Sequence, residues 1–164
     1  MNEELFDIVN EAGEKIGQAP RSRCHGDPSL IHRVVHVLVR NAAGALFLQK
    51  RALNKDIQPG KWDTSVGGHV QPGEELDQAA RREMKEELGV VPERFDMAYE
   101  YLWRTEIETE LVRTYIVRHE GPFSLQAEEI DEGRFWAPDE IEPQLGTGLF
   151  TPNFEVEFGR YKNL

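Results

Sequence analysis

Between Leu76 and Gly89 the chain is committed to one shape. Leu76, Ala79, Ala80, Met84 and Leu88 recur at intervals of three and four, the period of a helix with one apolar face. Gly89 falls where a left-handed C-cap belongs. The same segment carries Glu83, Glu86 and Glu87 at i, i+3 and i+4, so on that helix the three carboxylates project from one face. Adjacent negative charges repel, and helix propensity gives no reason to cluster them. A solvated acidic face balanced by Arg81, Arg82 and Lys85 is one explanation. The other is a site for Mg²⁺ or Mn²⁺, hard cations that prefer oxygen ligands.

Around this helix the sequence reads as strands and turns. Residues 5–10 alternate as a short strand, and after a turn at 11–14 residues 15–17 return, giving an N-terminal hairpin. Residues 21–31, with Cys24, His25, Gly26, Asp27 and Pro28, read as a loop. The β-branched run 34–39 has central-strand character, and 45–49, across a turn at 41–44, is its expected antiparallel neighbour. A loop at 54–61 leads to a short strand at 62–66 that runs into Gly67-Gly68. Strands are expected again at 99–104, 110–118 and 133–137. Pro138 and Pro152 each open a helix, the second reaching about Gly159. The expectation is an α+β, three-layer arrangement, with residues 1–164 forming a single domain.

Charge narrows the function. Nineteen basic against thirty acidic residues leave a net charge of −11, the wrong sign for holding a long nucleic acid by counterion release. No apolar run approaches the ~20 residues that span a bilayer, so no membrane partner is expected. The opening residues lack signal-peptide character, and the lone Cys24 cannot form an internal disulfide, so a cytoplasmic location is expected. An acidic chain that handles a phosphorylated small molecule needs local cations, either bound metals or placed Lys and Arg.

Gly68, Glu74, Arg82, Glu83, Met84, Glu86, Glu87, Gly89 and Val90 fill every fixed position of a 23-residue pattern. Residues 68–90 thereby resemble the Nudix box. The resemblance implies a Nudix fold, a mixed β-sheet sandwiched between α-helices, and hydrolysis of a small-molecule diphosphate, such as a nucleoside diphosphate linked to another moiety. By the same resemblance Glu83, Glu86 and Glu87 are ligands of Mg²⁺ or Mn²⁺, and the Gly68 carbonyl adds another. Arg82 orients the neighbouring carboxylate, and Glu74 acts structurally or in the outer metal shell. A general base comes from the box or from a later loop, where Glu128 and Glu129 are the candidates, Glu129 foremost.

Outside the box, Lys50, Arg51 and Lys55, then residues 59–69 with Lys61 and Trp62, resemble the isopentenyl diphosphate isomerase branch. That similarity makes Arg51 and Lys55 a diphosphate clamp, with Lys61 assisting. It also sets His25, His32, His69 and Glu110, with Glu108 beside them, where the isomerases bind a divalent metal. His36 and His119 match nothing comparable, and Cys24 reads as an ordinary thiol. Two departures favour hydrolysis over isomerisation. The isomerase's catalytic cysteine falls at Gly67, and its C-terminal aromatic is replaced near Asn153, whereas the carboxylate set that isomerases lack is complete here. An isomerase is the alternative, and a non-catalytic diphosphate sensor the third reading. Trp62, Trp103, Tyr99 and Tyr101 could stack on a base or fill the core.

Overall fold

The computed structural model describes residues 3–55 and 57–164. A hairpin of β1 (Leu5–Val9) and β2 (Lys15–Pro20) leads through a single helical turn, α1 (Arg21–Cys24), to the ten-residue β3 (Ile31–Arg40). Then come β4 (Leu46–Arg51), β5 (Trp62–Asp63), β6 (Val66–His69) and the helix α2 (Leu76–Leu88). The remainder is β7 (Asp96–Arg104), β8 (Thr109–Arg118), β9 (Ile130–Trp136), α3 (Pro138–Ile141), a 3₁₀ turn at Glu142–Gln144 and α4 (Pro152–Lys162). Among the described residues no helix is long and apolar enough to cross a membrane.

β3 organises the sheet. Along one edge it pairs in parallel with β8 over its whole length, from Ile31 opposite Thr109 to Arg40 opposite Arg118. Its other edge is shared by three antiparallel partners in turn: β1 at Ile31 and His32, β6 from Val34 to Val37, and β4 at Val39 and Arg40. β4 therefore diverges from β3 and takes β5 and β9 instead. The expected strand at 62–66 is thus two strands. Its corner is made by Ser65, whose Oγ accepts from the Val39 amide at 2.7 Å and donates to the Phe47 carbonyl, filling the gap where β3 and β4 part. β7 and β9 begin before the expected positions, at Asp96 and Ile130, where pairing with β8 and β4 extends them.

Side chains alternate across β3. Val35, Val37 and Val39 pack with Ala79, Ala80, Met84 and Leu88 of α2. Leu38 packs on the opposite face with Phe154 and Phe158 of α4, Trp62, Trp136 and Phe150. The mixed sheet therefore lies between helices, and each fully buried Leu, Met or Phe contributes about 1.5–3 kcal/mol relative to exposure. α2 is closed at its end by Gly89 in the left-handed region (φ 76°), as its sequence position requires. Residues 21–31, expected as a loop, begin with the α1 turn and give way to β3 at Ile31.

Candidate active site

Where β3, β4 and β6 separate, a cleft of about 450 Å³ opens between the end of the sheet and α2. The exposed flank of α2 supplies its acidic wall. Glu83, Glu86 and Glu87 all line it, as do Gly68, Arg82 and the rim residues Arg51, Lys55 and Glu129. Lys61 and Glu128 lie outside its lining.

The three glutamates are not equivalent. Glu86 is half exposed. Glu87, expected to face solvent or metal, is 7% exposed, and its Oε1 accepts from Gln49 Nε2 at 2.7 Å. Gln49 in turn donates to the Ser65 carbonyl at 2.9 Å, which fixes the amide. Glu83 lies against the Gly68 backbone so closely that a Cβ on Gly68 would stand 2.1 Å from its carboxyl carbon. Burial pushes both Glu83 and Glu87 above the usual carboxylate range, Glu87 well above it, with the adjoining Glu83 raising it further. Of the two, Arg82 offsets only Glu83, Glu87 has no cation in contact among the described residues, and the hard oxygen donors of the adjoining pair fit a divalent cation.

Arg82 braces this wall. It grips Glu74 through two hydrogen bonds of 2.8 and 2.9 Å, donates to Glu83 Oε1 at 2.8 Å and reaches the His69 carbonyl at 3.0 Å. Glu74, held below its ordinary range chiefly by Arg82, also accepts from the Gln71 amide at 3.0 Å. One guanidinium thus ties the loop before α2 to the carboxylates on it. At the rim Lys55 is ion-paired with Glu129, and Arg51 lies 3.6 Å from Asp63 while its Nε donates to the Ile57 carbonyl.

A second cluster occupies the far end of the cleft. The ring nitrogens of His25, His32 and His69 converge within 4.8 Å, and so do ligand atoms of His32, Glu108 and Glu110. The pairing of β3 with β8 sets His32 opposite Glu110, and the pairing of β1 with β3 brings Phe6 onto the rings of His32 and His69 at 4.9 and 4.6 Å. Among the described residues His25 Nε2, both His32 nitrogens and Glu108 Oε2 are buried without a hydrogen-bond partner. Burial drives His69 down to about 3. Burial together with the negative Glu110 drives Glu108 up to about 8, while Glu110, despite burial, is held at about 2 by the His32 beside it. His25 Nε2 lies 3.3 Å from Glu108 and His32 Nε2 3.5 Å from Glu110, and imidazole nitrogens converging among carboxylates are a donor set suited to a divalent metal.

A third group was not legible as a motif. Glu157 of α4 is fully buried and accepts from Tyr99 Oη at 2.8 Å, Tyr101 Oη at 2.7 Å, Thr114 Oγ1 at 2.7 Å and His36 Nδ1. Burial opposes the charged ring of His36, but Glu157 overcomes it and pushes His36 up to about 9. The one sequence signal was a glutamate on the apolar face of a helix, between Phe154 and Phe158. Tyr99 and Tyr101 are accounted for here, and Trp62 packs in the core against Trp136. Of the four aromatics named from sequence, Trp103 lines the cleft. His119 accepts from the Gly121 amide at 2.9 Å, and Cys24 is buried.

Comparison with known proteins agrees with this arrangement. The NUDIX domain family matches residues 30–153. A Nudix hydrolase from Yersinia pestis is 35% identical over 150 residues, covering 92% of this chain and 81% of that protein. Another, from Pseudomonas aeruginosa, is 37% identical over 144 residues, covering 83% and 80%. The crystal structure of DR0079 from Deinococcus radiodurans superposes with a TM-score of 0.83 at 27% identity over 96% of this chain and 98% of that one. With its fold, its glutamate helix and its relatives in agreement, the chain belongs to the NUDIX domain family of hydrolases.

Proposed function

We propose that the protein hydrolyses the diphosphate linkage of a small nucleoside diphosphate derivative, with Mg²⁺ or Mn²⁺ held by Glu83, Glu86, Glu87 and the Gly68 carbonyl. The observation that carries this reading is the adjoining pair of Glu83, pressed against Gly68, and the buried Glu87 in an open cleft. Such ions, when bound, neutralise phosphate oxygens and acidify a coordinated water. The protein's own groups do the rest. Arg82 holds Glu83 in place through its bond at 2.8 Å, and Gln49 does the same for Glu87. Arg51 and Lys55 lie at the rim, within reach of a diphosphate, and exchange their present partners Asp63 and Glu129 for it. Freed from Lys55, Glu129 is the carboxylate that accepts the proton of the attacking water. His25, His32, His69, Glu108 and Glu110 form the second candidate metal site, supported by the convergence of their ligand atoms.

The isomerase alternative has less support. Gly67 offers no group to move a proton. The test is phosphate and nucleotide release from nucleoside di- and triphosphates, nucleotide sugars, dinucleoside polyphosphates and isopentenyl diphosphate, with Mg²⁺, Mn²⁺ or chelator. Metal-dependent release from any member is the expected result. Double-bond migration without release would replace hydrolysis by isomerisation.

A further inference from the structure

The wall of the cleft contains a charge that no motif assigns. His36 and Gly67 are cross-strand partners, and the Gly67 amide lies 3.5 Å from Glu87 Oε1, so the His36 ring sits across one glycine from the glutamate wall. Its Nδ1 is engaged by Glu157, whose other acceptor positions are filled by three hydroxyl donors. A fully buried carboxylate so saturated stays ionised, and leaving it without a countercharge would be strongly destabilising. His36 is the cation in hydrogen-bond contact with it, which makes the ring an imidazolium with a proton on each nitrogen.

That leaves Nε2–H to be accounted for. Among the described residues it has no hydrogen-bond partner, and the ring lines the cleft. Gly67 opens the route, since a Cβ there would approach Nε2 to 3.4 Å. The neighbouring wall is acidic, with Glu83, Glu87, Glu110 and Asp63. A fixed donor with positive charge in such surroundings suits an anion brought in by the substrate.

We infer that His36, held as a cation by the buried Glu157, is a substrate-binding residue that donates from Nε2 to a phosphate oxygen of the bound diphosphate. The inference rests on the hydrolase reading above, and it adds a cation that the fold keeps in place to the rim cations Arg51 and Lys55. Tyr99, Tyr101 and Thr114 act one step back, as positioning residues for Glu157.

The probe is methylenediphosphonate, a diphosphate that cannot be hydrolysed, added with Mg²⁺ to the full chain labelled with ¹⁵N-histidine. The expected result is two protonated nitrogens on His36 before addition and a shift of its Nε2 resonance on binding, while His119 stays unmoved. In calorimetry the double variant His36→Phe/Glu157→Gln, which removes both charges of the buried pair together, should bind the probe about tenfold or more weakly, the loss of one charge-assisted hydrogen bond. An unmoved Nε2 while the probe binds, or a double variant within about twofold of wild type, overturns the assignment. Failure of the wild type to bind the probe at all overturns the diphosphate reading, and the role of His36 with it.

Discussion

At Gly68 one methyl group would decide the position of the glutamates. Gly68→Ala sets a Cβ against the Glu83 carboxyl, and relieving that overlap costs about 1–3 kcal/mol. A fall in melting temperature together with weaker Mg²⁺ binding is expected, and unchanged calorimetric affinity for Mg²⁺ would contradict it. Glu86→Gln and Glu87→Gln should each lower phosphate release by at least about 100-fold, since even outer-sphere partners of a metal cost 10–100-fold. The two should differ in stability. Glu87→Gln removes a buried carboxylate pushed well above its ordinary range, so the metal-free variant should melt higher than wild type, whereas Glu86→Gln, half exposed, should leave melting unchanged. The glutamate triad was legible because a helix turns local spacing into one face. Gln49 and Glu157 were not, because their partners lie on other elements and only the sheet register brings them together.

α4 is the element on which the third network depends. Thr151 caps it, accepting from the Phe154 amide at 3.3 Å, and also donates to Asp63 at 3.0 Å. Thr151→Ala should cost about 1 kcal/mol, read as a lower denaturation midpoint. The His36–Glu157 pair adds a pH signature. A histidine raised to about 9 contributes stability that is full below its unfolded value and fades as pH climbs through 9. Glu157, held below its ordinary range by His36 despite burial, contributes stability that is lost only in acid. Thermal melts of wild type should therefore decline from neutral pH towards about 9 more steeply than those of Glu157→Gln, and parallel curves would mean that the pair is not charged. The helix itself was readable from Thr151-Pro152. The break between β5 and β6 was not, because Ser65 turns the chain only where β3 and β4 have already diverged.

For the molecule as a whole, a net charge of −11 makes divalent cations a source of stability. Carboxyls raised in the folded state favour it at low pH and lose that contribution as pH rises through their folded values, so metal-free protein is penalised when Glu83 and Glu87 ionise together. A metal that takes the place of those protons should raise the melting temperature, and by more at about pH 8 than at about pH 5. A shift independent of pH would place the stabilising ion elsewhere. Order of assembly follows from the β3–β8 register. The imidazoles of His25 and His32 leave the ribosome well before Glu108 and Glu110, and only the long-range pairing of β3 with β8 joins them. Closing so long a loop is slow, and a slip of one residue would turn Glu110 to the wrong face. Completion of the histidine–glutamate cluster is therefore a late event in folding, and its appearance reports that the sheet has closed in register.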